Sequence, residues 1–179
     1  MDTIGILNRK LHFPVERAEV QMGMSVTIWH LNEDEFNHGL DYLESRLEAA
    51  QGKEEWGEET DFNSFCEIGE VWDLVNLAIS GDRIPTQGVE SLVVLGGDML
   101  GEVGESGGLI TVLTRQEVVE VSNFLRGLAI DSIVTTCEQF ANLPDFVIGE
   151  VRQRLEDLQS FYALAARERH LVVTRVYGP

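Results

Sequence analysis

Histidine, cysteine, serine and paired carboxylates are the side chains that most often carry chemistry. In this chain of 179 residues none of them stands at a catalytic or metal-binding spacing. The four histidines, His12, His30, His38 and His170, are scattered, and none forms a His-x-x-x-His pair. The carboxylates do not fall into the spacing of a calcium loop. Cys66 and Cys137 are too far apart for a Cys-x-x-Cys motif and lie beside apolar neighbours, so they read as buried free thiols of a cytosolic protein. Ser106, in Gly104-Glu-Ser-Gly-Gly108, has the letters of a nucleophile elbow. The elbow must turn from a strand into a helix, however, and a strand is expected after Ser106. The glycine-rich run from Gly96 to Gly104 could aim amides at a phosphate. It lacks the Lys-Ser/Thr of a phosphate loop, and Asp98, Glu102 and Glu105 would repel the anion, so it reads as a structural turn. No catalytic residue, metal ligand or cofactor is assigned, and an enzyme is the less favoured reading.

The charge is what sets the chain apart. Asp and Glu number 31 against 13 Lys and Arg, a formal net charge of −18. A field of that sign repels nucleic acid and anionic lipid and attracts basic proteins. No apolar run approaches the ~20 residues that a bilayer span needs. Between Asn32 and Asp61 there are eleven acids and two bases, a net −9, which is half the total. Glu33, Asp34 and Glu35 open this segment. Glu54, Glu55, Glu58, Glu59 and Asp61 close it around one aromatic, Trp56. A ring among carboxylates suits a basic, partly apolar partner, with Phe36 or Phe62 as further anchors.

Elements must position these groups, and periodicity gives most of them. Residues 1–21 carry three acids and three bases. They read as an N-terminal extension, broken by Pro14, ahead of a single domain over 22–179. Ser25 to Leu31 is rich in β-branched and aromatic residues and predicts a strand. Asn32 caps a helix whose Phe36, Leu40, Leu43 and Leu47 run to about Ala50. The stretch Glu67 to Gly81 is apolar nearly all round, through Ile68, Val71, Trp72, Val75 and Ile79. It predicts the central buried helix, with Ser64 and Glu67 as its capping box and Gly81 at its end.

Ser91 to Leu95 is a short unbroken apolar run, expected as a strand covered on both faces. Asp98 to Gly108 predicts a loop or hairpin, and Leu109 to Leu113 a strand. Thr114 with Glu117 is a capping box opening a helix through Val118, Val121, Phe124, Leu125 and Leu128. A short helix is expected over 131–142. The last helix starts at Pro144-Asp145 and buries Val151, Leu155, Leu158, Phe161, Tyr162 and Ala165. Leu171 to Tyr177 is the final strand. The expected class is α/β (mixed α+β): a central mixed β-sheet of about four strands flanked by four or five helices.

The order of these segments resembles the YfbM-like family, bacterial domains of unknown function. The resemblance is carried by Met22-Gly-Met24, Val71-Trp72 through Ser80-Gly81, and Val93-Val-Leu-Gly-Gly97. Val112-Leu-Thr-Arg-Gln-Glu-Val-Val119, Leu158-Gln-Ser-Phe-Tyr162 and Leu171-Val-Val173 complete it, over roughly residues 22–177. It implies an α/β fold and brings no activity, cofactor or catalytic residue. The family's histidine one turn after the tryptophan is replaced here by Asn76, which hydrogen-bonds but cannot shuttle a proton near neutral pH. Its Thr-Gly at the helix end is Ser80-Gly81, and its Tyr-Pro turn is Leu143-Pro144.

Two functional readings follow. The leading one is an acidic, non-enzymatic cytoplasmic protein that neutralises a basic protein such as a toxin or nuclease, as an immunity protein does. Glu33, Asp34, Glu35, Glu54, Glu55, Trp56, Glu58, Glu59 and Asp61 would form its contact surface. The alternative is an enzyme or small-ligand protein with a pocket where Trp72 and Asn76 meet the Gly96–Gly97 turn.

Overall fold

The computed structural model describes residues 23–47, 64–103, 108–141 and 143–178, without the side chains of residues 102, 103 and 137–141. Five strands form one sheet in the order β2-β1-β5-β4-β3. They are β1 (Ser25–Leu31), β2 (Phe65–Gly69), β3 (Asp98–Val103), β4 (Gly108–Leu113) and β5 (Leu171–Tyr177). The α/β class is as expected, but the sheet has five strands rather than about four, and every pairing is antiparallel rather than mixed.

Successive residues of a strand point to opposite faces. In β1 every residue from Val26 to Leu31 is buried, and in β5 every residue from Val172 to Val176. Unbroken burial requires cover on both faces, and helices supply it. On one face Val26, Ile28, Leu113, Val172 and Val176 join the larger core. That face is covered by α3 (Trp72–Ser80), α4 (Glu90–Val93), α5 (Arg115–Arg126), α6 (Ile130–Ala141) and α7 (Asp145–Glu168). On the other face Trp29, Leu31, Ile110 and Val173 pack with Leu43 and Leu47, which lie on α2, helical over 40–47. Trp29 stacks on Phe65 there, with ring centroids 5.4 Å apart.

The long helix α7 is built as its periodicity predicts. Ile148, Val151, Leu155, Leu158, Phe161, Tyr162 and Ala165 are its buried stripe. The Tyr162 hydroxyl donates to the Val93 carbonyl at 2.8 Å, and Gln159 donates to the Leu125 carbonyl at 2.7 Å. These bonds tie α4 and α5 to α7. The Thr114–Glu117 capping box is present at the start of α5. None of the described helices is long and apolar enough to cross a membrane.

Four expectations change. The segment read as one helix from 67 to 81 is a strand followed by a helix: Phe65–Gly69 alternates as β2, and α3 begins only at Trp72. Ser64 and Glu67 therefore form no capping box, and α3 has no side-chain cap, although it ends at left-handed Gly81 as expected. Ile68, Val71, Trp72 and Val75 fit a helical period, but β1 has an open edge, and pairing with it decides the conformation of 65–69. Nor is α3 the central buried helix. Leu77, Ala78 and Ile79 are only partly buried, and α7 takes that place, packing against α3, α5, α6 and β2.

The helix expected from 33 to about 50 is interrupted. After α1 (Glu33–Phe36) the chain turns through Asn37-His38-Gly39, with Gly39 at φ 88°, a conformation other residues rarely adopt. Residues 90–93 are helical rather than extended. Val93 and Val94 are fully buried, and a short run buried on every side carries no period to separate helix from strand. β3 and β4, by contrast, pair antiparallel as the two arms of a hairpin, one of the two forms expected after Asp98.

Candidate functional site

The acidic surface is described only at its start. Asn32 Oδ1 accepts from the Glu35 amide at 2.9 Å, and Glu35 Oε2 accepts from the Asn32 amide at 3.1 Å, so Glu35 is engaged in a capping box. Glu33 Oε2 accepts from Arg115 Nη2 at 2.7 Å, joining α1 to the start of α5. Asp34 is exposed. Phe36, expected as an apolar anchor, packs partly buried against the smaller core. Glu54, Glu55, Trp56, Glu58, Glu59, Asp61 and Phe62 lie outside the described residues, as do residues 1–21.

The second expected site joins α3 to the Gly96–Gly97 turn. Trp72 is buried in the larger core, and Asn76 is 1% exposed. Asn76 Nδ2 donates to the Arg83 carbonyl at 3.1 Å, tying α3 to the loop after it, while its Oδ1 is buried without a partner. The two glycines have a packing role. A Cβ on Gly96 would lie 2.2 Å from Leu92 Cα, and one on Gly97 would lie 2.3 Å from the Val112 carbonyl oxygen. Only glycine lets the turn approach α4 and β4 this closely, and Thr111 Oγ1 secures it by donating to the Gly96 carbonyl at 2.9 Å.

Cys66 faces the larger core from β2, as a buried free thiol should. Burial pushes its pKa up to about 12, with the nearby Asp157 carboxylate adding to the effect. A thiol held that firmly in its neutral form is no nucleophile.

A third place was not anticipated. His30 and His170 meet, with Nδ1 atoms 2.8 Å apart. Strand register explains the encounter. In the antiparallel β1–β5 pair, His30 lies opposite Val172 and Leu31 opposite Leu171. His170, one residue before β5, is therefore the diagonal neighbour of His30 on the same face, within reach of long side chains. The end of α7 holds it there. Arg169 has left-handed φ 58°, its amide donates to the Ala166 carbonyl, and the His170 amide donates to the Ala165 carbonyl at 3.0 Å. This is a Schellman turn with arginine where glycine is usual. Glu168 Oε2 stands 3.6 Å from His170 Nδ1. The three ligand atoms lie within 4.8 Å of one another. His30, at 4% exposure, forms the floor beside the Phe161 ring, and His170 and Glu168 form the rim. Linear spacing could not show this, because the two imidazoles meet only through the strand pairing.

No curated protein matches the chain. The fold is similar to the crystal structure of YfbM from Escherichia coli, a protein of unknown function. The TM-score is 0.55 at 15% identity, over 85% of this chain and 99% of that one. The model of the domain of unknown function DUF1877 matches residues 22–175. With the match running through β1, the whole helical layer and most of β5, the chain belongs to the DUF1877 family.

Proposed function

We propose that this protein is an acidic, non-enzymatic, cytoplasmic binding protein that neutralises a basic protein partner, in the manner of an immunity protein. The carrying observation is the placement of charge: none of the described carboxylates is buried, so their field faces outward. The net charge of −18 is what remains after every lysine and arginine has been counted against it. Arg83, Arg115, Arg152, Arg154 and Arg167 each pair with a neighbouring carboxylate, and Arg175 is buried in the sheet. An outward negative field speeds encounter with a cationic surface more than it deepens final affinity.

The test is capture from the native host at low and at moderate salt, followed by association kinetics. One basic protein held at near-stoichiometric yield through moderate salt is expected. Changing Glu54, Glu55, Glu58 and Glu59 together to Gln should cut the association rate about tenfold or more and flatten its salt dependence. Recovery of only salt-labile, heterogeneous basic proteins, or unchanged kinetics in the quadruple variant, would refute this reading.

A further inference from the structure

We propose that His30, His170 and Glu168 form a binding site for a first-row divalent transition-metal ion, a reading independent of any protein partner. Two imidazole nitrogens and a carboxylate oxygen are the donor set that zinc, nickel, iron and manganese accept, whereas magnesium and calcium prefer oxygen alone. Two nitrogens bound about 2.1 Å from one ion stand about 3.0 Å apart at adjacent octahedral positions and about 3.4 Å apart at tetrahedral ones. The observed 2.8 Å between the Nδ1 atoms therefore fits adjacent positions on a six-coordinate ion.

The surroundings favour the same use. Both imidazoles are placed by backbone: His30 by the β1–β5 ladder, His170 by the Schellman turn. The ion would have to reset only the tautomer of one ring and the Glu168 side chain. Glu168, on the last turn of α7, needs only a side-chain adjustment to close its 3.6 Å gap. The His170 and Glu168 side chains retain 21% and 39% exposure, which leaves an entry path and open coordination positions. The net charge of −18 concentrates divalent cations at the surface. Without an ion, one imidazole donates its Nδ1 proton to the other; on binding, that ring shifts its proton to Nε2 through solvent, so that both Nδ1 lone pairs face the ion.

The test is calorimetric titration of the full chain, free of any histidine tag, with Ni²⁺ in excess Mg²⁺ to occupy generic carboxylate sites. One Ni²⁺ per chain is expected. His170→Ala should weaken binding by more than the ~10–100-fold typical of losing an outer-shell partner, and Glu168→Gln by about tenfold. Both residues are at the rim, so the variants should fold, and circular dichroism checks that they do. His38→Ala, on the turn between α1 and α2, should bind as the parent does. No saturable ion, or a saturable ion indifferent to His170→Ala or to Glu168→Gln, would overturn the proposal.

Discussion

The Nδ1 atoms of His30 and His170 lie 2.8 Å apart although 140 positions separate them in the chain. The two partners are unequally buried, and that asymmetry should appear in stability. His30 lies in the sheet against the Phe161 ring. His30→Ala leaves a cavity and removes a hydrogen bond, so a loss of about 2–4 kcal/mol is expected from urea unfolding. His170→Ala, at the rim, should cost less, about 1–2 kcal/mol, because the space it leaves admits water to His30 Nδ1. Equal losses would mean that the pair is not organised as floor and rim.

Arg169 occupies a left-handed conformation that glycine adopts without penalty. Arg169→Gly should stabilise the protein by about 0.5–1 kcal/mol, after allowing for the greater freedom of glycine in the unfolded chain. Arg169→Ala retains the penalty and should stay within about 0.5 kcal/mol of the parent. Chemical denaturation of the two variants side by side separates the backbone effect from loss of the charge.

Asn76 gives α3 its tie to the following loop through the Arg83 carbonyl. Asn76→Ala should cost about 1–2 kcal/mol, moderated because the partnerless Oδ1 disappears as well. Asn76→Asp loses the donor and places a carboxylate at a 1% exposed position, so it should cost more than the alanine variant near neutral pH. Thermal unfolding at neutral pH checks the order.

Cys66 sets a limit on the alkaline side. Its folded-state pKa is raised from 9.0 to about 12, chiefly by burial. The native state therefore keeps a proton that the unfolded chain releases above pH 9. The stability this contributes is complete below pH 9 and is lost as pH rises towards 12. Tyr162, fully buried and also raised, acts in the same direction. The urea midpoint should hold steady from neutral pH and then fall, each such proton contributing about 1.4 kcal/mol per pH unit. Cys66→Ala should reduce that slope. Iodoacetamide should label Cys66 in denaturant and spare it in the native protein.

Much of the fold can be read from periodicity because one period dominates in those places. The stripe of α7, the Thr114 box of α5 and the β-branched runs of β1 and β5 each permit one conformation. Where two periods fit, the sequence is silent. Ile68, Val71 and Trp72 suit helix or strand until the open edge of β1 is known, and Val93-Val94 is buried whichever form it takes. The histidine pair is illegible for a related reason, since it exists only in the β1–β5 register. The acidic run between Asn32 and Asp61 is the opposite case, with composition plain in the sequence and geometry described only as far as residue 47, at Glu33, Asp34, Glu35, Asp41 and Glu44.

The middle strand of the sheet is β5, encoded after all the others. The β1–β2 pair and the β3–β4 pair are two wings, each with an edge that only β5 closes. Translation must therefore pass Tyr177 before the β-structure can become continuous. A chain cut short before β5 would be left with two unclosed edges and an α7 lacking its full sheet to cover, a form suited to chaperone or protease capture.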